Sequence, residues 1–188
     1  MAKSLDNLSR AVSHALRHEP WLYELELDEQ GWADADALLE ALRNESVDWQ
    51  SLSRTDLAEM IRTSSKQRHE IVNGHIRALY GHSLPGKLAR ISAAPPAQLF
   101  HGTAPETLPR IRENGLLPMG RQYVHLSADR DTATAVGRRK SKYPVVLVIW
   151  ADDACKTGVA FYAGNDKVWL ADQVPPEFID FGWVAHVP

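Results

Sequence analysis

Residues 68–83 read RHEIVNGHIRALYGHS, with Asn73-Gly74 between two short β-prone runs. Asparagine and glycine both tolerate positive φ, so the pair predicts a two-residue type I′ turn and a β-hairpin around it. Upstream of the hairpin the periodicity is helical. Leu5, Leu8, Val12 and Leu16 recur at spacings of three and four and define one apolar helix face. On the other side of that helix stand Arg10, His14, Arg17 and His18, and Pro20 discourages continuation beyond Glu19. The first helix therefore ends on a basic patch. In GWADADALLEALRN (31–44) Asp34 is placed to cap a second helix carrying Leu38, Leu39 and Leu42. Ser53 with Asp56 makes a capping-box start for a third, carrying Leu57, Met60 and Ile61. Three helices followed by a two-stranded wing is a winged-helix pattern, which we assign to residues 1–84.

Downstream, SLPGKLARISAAPPAQ (83–98) breaks every regular pattern at Pro85-Gly86 and Pro95-Pro96. Residues 85–97 are read as a linker. Short apolar runs then dominate: QLFHGT (98–103), QYVHLS (122–127), YPVVLVIWA (143–151), VAFYA (159–163) and KVWLA (167–171). One helix candidate, TLPRIRENGLL (107–117), lies between the first two. Residues 98–188 are expected to form a second lobe of mixed α/β or mostly β structure, making the fold class α+β in two lobes.

A chain of 188 residues has room for two such lobes, each with a modest core. The 44% hydrophobic and 24% charged composition is that of an ordinary globular protein. A net charge of −3 argues against a protein that coats nucleic acid through its overall charge, while leaving room for a local basic cleft. The single cysteine, Cys155, can form no internal disulfide, and no Cys/His cluster has zinc-ligand spacing. The N-terminus lacks the apolar core of a signal peptide, and no run approaches the roughly 20 apolar residues of a membrane span. A cytoplasmic, monomeric protein without a membrane partner is expected. Walker A and GxGxxG loops, the GxSxG elbow, HExxH and the EF-hand loop are all missing.

What remains is a set of Arg and His residues at segment ends: Arg17-His18, Arg68, His82 in GHS, His101 in HGT, His125 in VHLS, and Arg138-Arg139. Arginine forks hold phosphate oxygens bidentately and stay charged at physiological pH, so such a set suits phosphoryl chemistry without a metal. Taken singly, each is more often a solvated surface charge or a satisfied histidine.

Taken together, SHALRHEP (13–20), GWADADALL (31–39), SSKQRHEI (64–71), IRALYGHS (76–83), FHGT (100–103), ENGLL (113–117), RQYVHLS (121–127), AVGRR (135–139) and VWLADQVP (168–175) form an ordered series. That series resembles the Tpt1/KptA family of RNA 2′-phosphotransferases over nearly the whole chain. The resemblance implies an N-terminal winged-helix lobe for RNA and a C-terminal ADP-ribosyltransferase-like lobe for NAD⁺. It implies a basic catalytic tetrad of Arg17, His18, Arg68 and Arg139, with Arg138 as the neighbouring alternative for the last. His82 and Ser83 join Arg17, His18, Arg68 and Arg139 as implied contacts to the substrate phosphate. His101, Gly102, Thr103, His125, Ser127 and Trp169 are implied contacts to NAD⁺. Two positions depart from the family pattern: His69 replaces an aromatic after the wing arginine, and Gln122 stands where His or another polar ring is usual.

The implied reaction consumes NAD⁺ as co-substrate, needs no metal, and acts on 2′-phosphorylated RNA, tRNA-like or other, as in RNA repair and tRNA splicing. The 2′-phosphate first attacks C1″ of the nicotinamide ribose, expelling nicotinamide and leaving RNA-2′-phospho-ADP-ribose. The ribose O2″ then attacks phosphorus, releasing 2′-OH RNA and ADP-ribose 1″,2″-cyclic phosphate. Two rival readings are an ADP-ribosyltransferase that modifies nucleic-acid phosphate ends and stops after the first step, and a non-catalytic RNA- or ADP-ribose-binding module. Of the six tryptophans, Trp21, Trp32, Trp49, Trp150, Trp169 and Trp183, large aromatics are more often core than stacking platforms. Trp169, inside a matching segment, is the strongest stacking candidate.

Overall fold

The Ser4 hydroxyl accepts the Asn7 N–H and starts helix α1 (Leu5–Arg17), in a computed structural model that describes residues 4–182. Leu8, Val12, Ala15 and Leu16 of α1 are buried, as the three-and-four spacing predicts. Burying each of the larger of these side chains contributes about 1.5–3 kcal/mol, which holds a helix of this length far better than propensity would. Pro20 opens a short 3₁₀ turn, Pro20–Tyr23, and ends the helix. Asp34 caps α2 (Ala35–Glu45) by accepting the Asp36 and Ala37 N–H groups at 2.8 and 2.9 Å. Ser53 and Asp56 complete the capping box of α3 (Arg54–Thr63).

Strands β2 (His69–Val72) and β3 (His75–Ala78) form the hairpin, with φ of 49° at Asn73 and 80° at Gly74 as a type I′ turn requires. The structure adds a third strand that the sequence pattern does not announce. Residues Trp32–Asp34, here β1, pair antiparallel with β3, and the sheet order is β1-β3-β2. Three residues are too few to show an alternation, and β1 runs straight into the α2 cap. The three helices and β3 share one core around Leu38, Leu42, Leu57 and Ile76.

Two compact units divide the chain, Met1–Ala89 and Arg90–Pro188. Residues 85–97 are tied down within each: the Ala89 N–H donates to the Glu29 carbonyl, and the Ala93 N–H to that of Phe161.

The second unit is built on a six-stranded sheet whose neighbours all run antiparallel, in the order β7-β8-β5-β4-β6-β9. Its strands are β4 (Gln98–Thr103), β5 (Val124–Ser127), β6 (Val145–Trp150), β7 (Phe161–Asn165), β8 (Val168–Ala171) and β9 (Ile179–Asp180). Leu99, Leu126, Leu147, Ile149 and Phe161 form its core. The expected helix in TLPRIRENGLL is α4 (Leu108–Asn114). Two further helices, α5 (Arg130–Gly137) and α6 (Ala151–Lys156), escape the periodicity reading. In α5 two threonines and a valine weaken helix propensity, although Asp129 does cap it by accepting the Thr132 N–H at 2.7 Å. The second unit is therefore mixed rather than mostly β, and the described chain as a whole is α+β, with two sheets and six α-helices. No helix among the described residues is long and apolar enough to cross a membrane.

Candidate active site

In the first unit, the end of α1 and the ends of the hairpin meet. Arg17 lies in the last turn of α1; its guanidinium donates to the Arg68 carbonyl at 3.4 Å and sits 5.3 Å from the Tyr80 ring centroid. Ser83, just past the hairpin, donates its backbone N–H to the Arg17 carbonyl, and its hydroxyl lies 2.8 Å from His18 Nδ1. Arg17, His18, Arg68 and Ser83 are thus gathered by short contacts. The Arg68 guanidinium has no hydrogen-bond or ion-pair partner among the described residues. By contrast, Arg54 forks onto Asp36 at 2.7 and 2.6 Å, and Arg77 pairs with Glu70 at 2.6 Å.

Beneath this cluster lies His69, only 3% exposed, with Nε2 3.1 Å from the Ser13 hydroxyl. Burial, then the charges of Arg17, Arg68 and His82, push its pKa down to about 3. His69 is therefore neutral and adds no charge of its own. His82 is equally buried, at 3%. A cleft of about 430 Å³ runs from His18 and Arg68 along α1, past Ser13 and Arg10.

In the second unit the remaining candidate residues lie on β4, β5 and β8 and just past the end of α5. His101 Nδ1 lies 3.0 Å from the His125 carbonyl, so Nδ1 carries the proton and Nε2 is left as an acceptor. Burial depresses the His101 pKa, the bond to the His125 carbonyl opposes that, and the Lys140 ammonium adds to the depression. The ring is therefore neutral. The His125 ring is tied by Nδ1 to the Tyr123 carbonyl at 3.1 Å. Thr103 and Ser127 are buried, the Thr103 hydroxyl sharing a 2.8 Å hydrogen bond with that of Thr107. Trp169, half-buried, packs against the core beside Leu126, its partner across β5 and β8.

Gly102 explains why the HGT and VGRR segments belong together. A Cβ on Gly102 would lie 1.8 Å from the Ala133 carbonyl oxygen of α5, and one on Gly137 would lie 2.6 Å from Pro144 Cβ. Only hydrogens fit where β4 meets α5. That approach brings the end of α5, followed by Arg138 and Arg139, against the His101–Thr103 end of β4. Arg138 and Arg139 are both exposed, and neither side chain has a partner among the described residues. Gly115 plays a similar part between ENGLL and VWLADQVP: a Cβ there would stand 2.1 Å from the Val174 carbonyl oxygen, beside the Leu116–Val174 bridge.

Sequence reasoning did not single out Tyr80, Ser13 or Lys140 as parts of these sites. Lys140 adjoins Arg139 and Tyr80 lies two residues before His82, but only the folded contacts give them a role. Of the other tryptophans, Trp32 lies under the Arg77 guanidinium at 4.3 Å, Trp49 packs on the first core, Trp21 and Trp150 are exposed, and Trp183 is outside the described residues. No group of three or more His, Cys, Asp or Glu among the described residues is arranged to hold a metal ion.

The family model for RNA 2′-phosphotransferases of the Tpt1/KptA family matches residues 3–173. Several curated proteins carrying the name "Probable RNA 2′-phosphotransferase" are similar over nearly their full length. One from Bacillus thuringiensis subsp. konkukian is 52% identical over 177 residues, covering 94% of this chain and 95% of the relative. One from Acetivibrio thermocellus is 52% identical over 174 residues, with 93% and 95% covered. One from Pseudomonas paraeruginosa is 46% identical over 180 residues, with 94% and 97% covered. On a match that spans both units and every segment that builds the two clusters, the chain belongs to the RNA 2′-phosphotransferase, Tpt1/KptA family.

Proposed function

We propose that the chain is an NAD⁺-dependent RNA 2′-phosphotransferase, with the first unit a winged-helix RNA-binding lobe and the second an ADP-ribosyltransferase-like NAD⁺-binding lobe. The observation that carries this reading is the Arg17, His18, Arg68 and Ser83 cluster, laid over a neutral His69. The Arg68 guanidinium, without a counter-ion among the described residues and beside a second arginine, is poised for an anion from outside, and a phosphate dianion offers oxygens to both.

When bound, NAD⁺ supplies an electrophilic ribose carbon and a leaving nicotinamide. The rest is done by this chain's own side chains. His101, neutral and protonated on Nδ1, has Nε2 free to accept a ribose hydroxyl and so to orient the ribose. Arg17 and Arg68 hold the 2′-phosphate in the first unit, and Arg139 is the guanidinium that the second unit contributes to the reaction. His18, steadied by Ser83 through Nδ1, serves the same phosphate. These fixed charges matter most when phosphorus is attacked and negative charge gathers on its oxygens. The donor set fits NAD⁺ and RNA and calls for no metal ion. Cytoplasmic action on tRNA-like or other 2′-phosphorylated RNA as a monomer completes the reading.

The test is incubation with a 2′-phosphorylated oligonucleotide, with and without NAD⁺ and with EDTA. The expected outcome is loss of the 2′-phosphate only when NAD⁺ is present, with release of a cyclic phosphate product, unaffected by EDTA. Phosphate removal without NAD⁺, or a stop at the ADP-ribosylated RNA, overturns it.

A further inference from the structure

We infer that the α1 cleft is a second anion subsite, centred on Arg10, that takes a backbone phosphodiester of the RNA next to the 2′-phosphorylated nucleotide. The inference rests on the 2′-phosphotransferase reading and adds a residue that this reading does not use. The cleft holds about 430 Å³ and is lined by Asp6, Ser9, Arg10, Ser13, His14, His18 and Arg68. Sites of roughly 300–1,000 Å³ accommodate drug-sized molecules, so one phosphate at His18 and Arg68 leaves most of this space unused.

The wall residues differ in what they have left to offer. Ser13 is engaged with His69. His14 is engaged at both ring nitrogens: Nε2 lies 2.8 Å from the Glu19 carboxylate and Nδ1 3.2 Å from the Tyr23 hydroxyl. Arg10 is different. It is exposed, and among the described residues its side chain has no hydrogen-bond or ion-pair partner, even with Asp6 one turn earlier on the same helix. At a rise of about 1.5 Å per residue, Arg10 stands two turns, roughly 12 Å, from His18 along α1. That separation suits a neighbouring anion on the same ligand better than a share of the same phosphate. An RNA strand bearing a 2′-phosphate carries such anions at every linkage, and Asp6 at the far end discourages a further phosphate, which limits the subsite to one.

The experiment compares three ligands, each with a 2′-phosphate: a mononucleotide, the same nucleotide extended by one residue on the 5′ side, and the same extended on the 3′ side. Binding and KM are measured on the full chain for wild type, Arg10→Ala and Arg10→Lys, at several salt concentrations. Wild type should prefer one of the extended ligands to the mononucleotide by about tenfold, the size of a good charge-assisted contact. Arg10→Ala should erase that ratio and lower the salt slope for the extended ligand by about one, and Arg10→Lys should keep most of both.

A ratio retained by Arg10→Ala, or no preference for length in wild type, overturns the subsite while leaving the enzyme reading intact. An equal loss for all three ligands also overturns it, because Arg10 would then be touching the 2′-phosphate itself. If wild type removes no 2′-phosphate from any of the three with NAD⁺ present, the enzyme reading fails and the subsite falls with it.

Discussion

The two units build their sites from opposite materials. In the first, the proposed function rests on charged side chains set at the end of α1 and the ends of the hairpin, with Arg68 unpaired among the described residues and next to a buried, neutral His69. In the second, it rests on backbone approach: Gly102 and Gly137 let β4 and α5 touch, and the polar rings of His101 and His125 are tied to carbonyls. Charge at a surface can be removed without disturbing packing, whereas a backbone contact admits no added atom. Loss of a charged side chain, Arg139 just past α5 included, should therefore cost activity before stability, whereas filling the β4–α5 contact of the second unit should cost both at once.

The sharpest challenge to that contrast is Gly102→Ala. With the Ala133 carbonyl oxygen 1.8 Å from the new Cβ, β4 or α5 must move. We expect a cost of about 3 kcal/mol or more, toward the upper end for overpacking, and no turnover. Gly137→Ala meets the Pro144 ring at 2.6 Å instead of a backbone carbonyl, and should cost less. Chemical denaturation reads both; a Gly102→Ala protein with wild-type stability would remove the distinction between the units.

Next in size are the charged positions. Arg17→Ala, Arg68→Ala, His18→Ala and Arg139→Ala should each slow NAD⁺-dependent dephosphorylation by about 10²–10³, while barely moving the denaturation midpoint. Arg139→Ala and His18→Ala should slow attack on phosphorus most, so that RNA-2′-phospho-ADP-ribose accumulates on a gel. His101→Ala should suppress the first step, and no intermediate should appear. If Arg138→Ala builds up intermediate and Arg139→Ala does not, the late arginine is Arg138.

His69 gives a smaller effect confined to acid. Its pKa is lowered from the usual 6.5 to about 3, chiefly by burial, so between those values the unfolded chain binds a proton that the folded protein refuses. Stability contributed by the neutral ring is complete above pH 6.5 and declines as pH falls, by up to about 1.4 kcal/mol per unit. His69→Gln, which can still hydrogen-bond Ser13, should flatten the pH dependence of the midpoint between pH 4 and 6. An unchanged slope would mean that His69 is accessible to protons in the folded state.

Smallest of all is Arg54→Ala. Its fork onto Asp36 is exposed on both sides. Neither midpoint nor turnover should change measurably, whereas Arg68→Ala should cut turnover.

What the amino-acid sequence determined without help was everything governed by neighbours along the chain. Asp34, Ser53 with Asp56, and Asn73-Gly74 act within four residues through hydrogen bonds and allowed φ, so two helix starts and one hairpin were legible. The same holds for the apolar stripe of α1 and for the strand runs of the second unit. The motif series marked Arg17, His18 and Arg68, and the structure gathers them, but no spacing rule says that Ser83 reaches His18 across 65 residues.

Long-range choices belonged to the tertiary structure. Whether Trp32–Asp34 becomes a strand depends on β3 being there to pair with it. Whether α5 forms depends less on its threonine-rich sequence than on two glycines that clear a place against β4. His69 is an ordinary titratable residue in the sequence and a neutral one in the fold, because burial, with Arg17 brought from the end of α1 and the adjoining Arg68, removes its proton. Such pairings carry no local code: they are paid for by contacts between segments far apart in the chain, and those contacts exist only once the chain has folded.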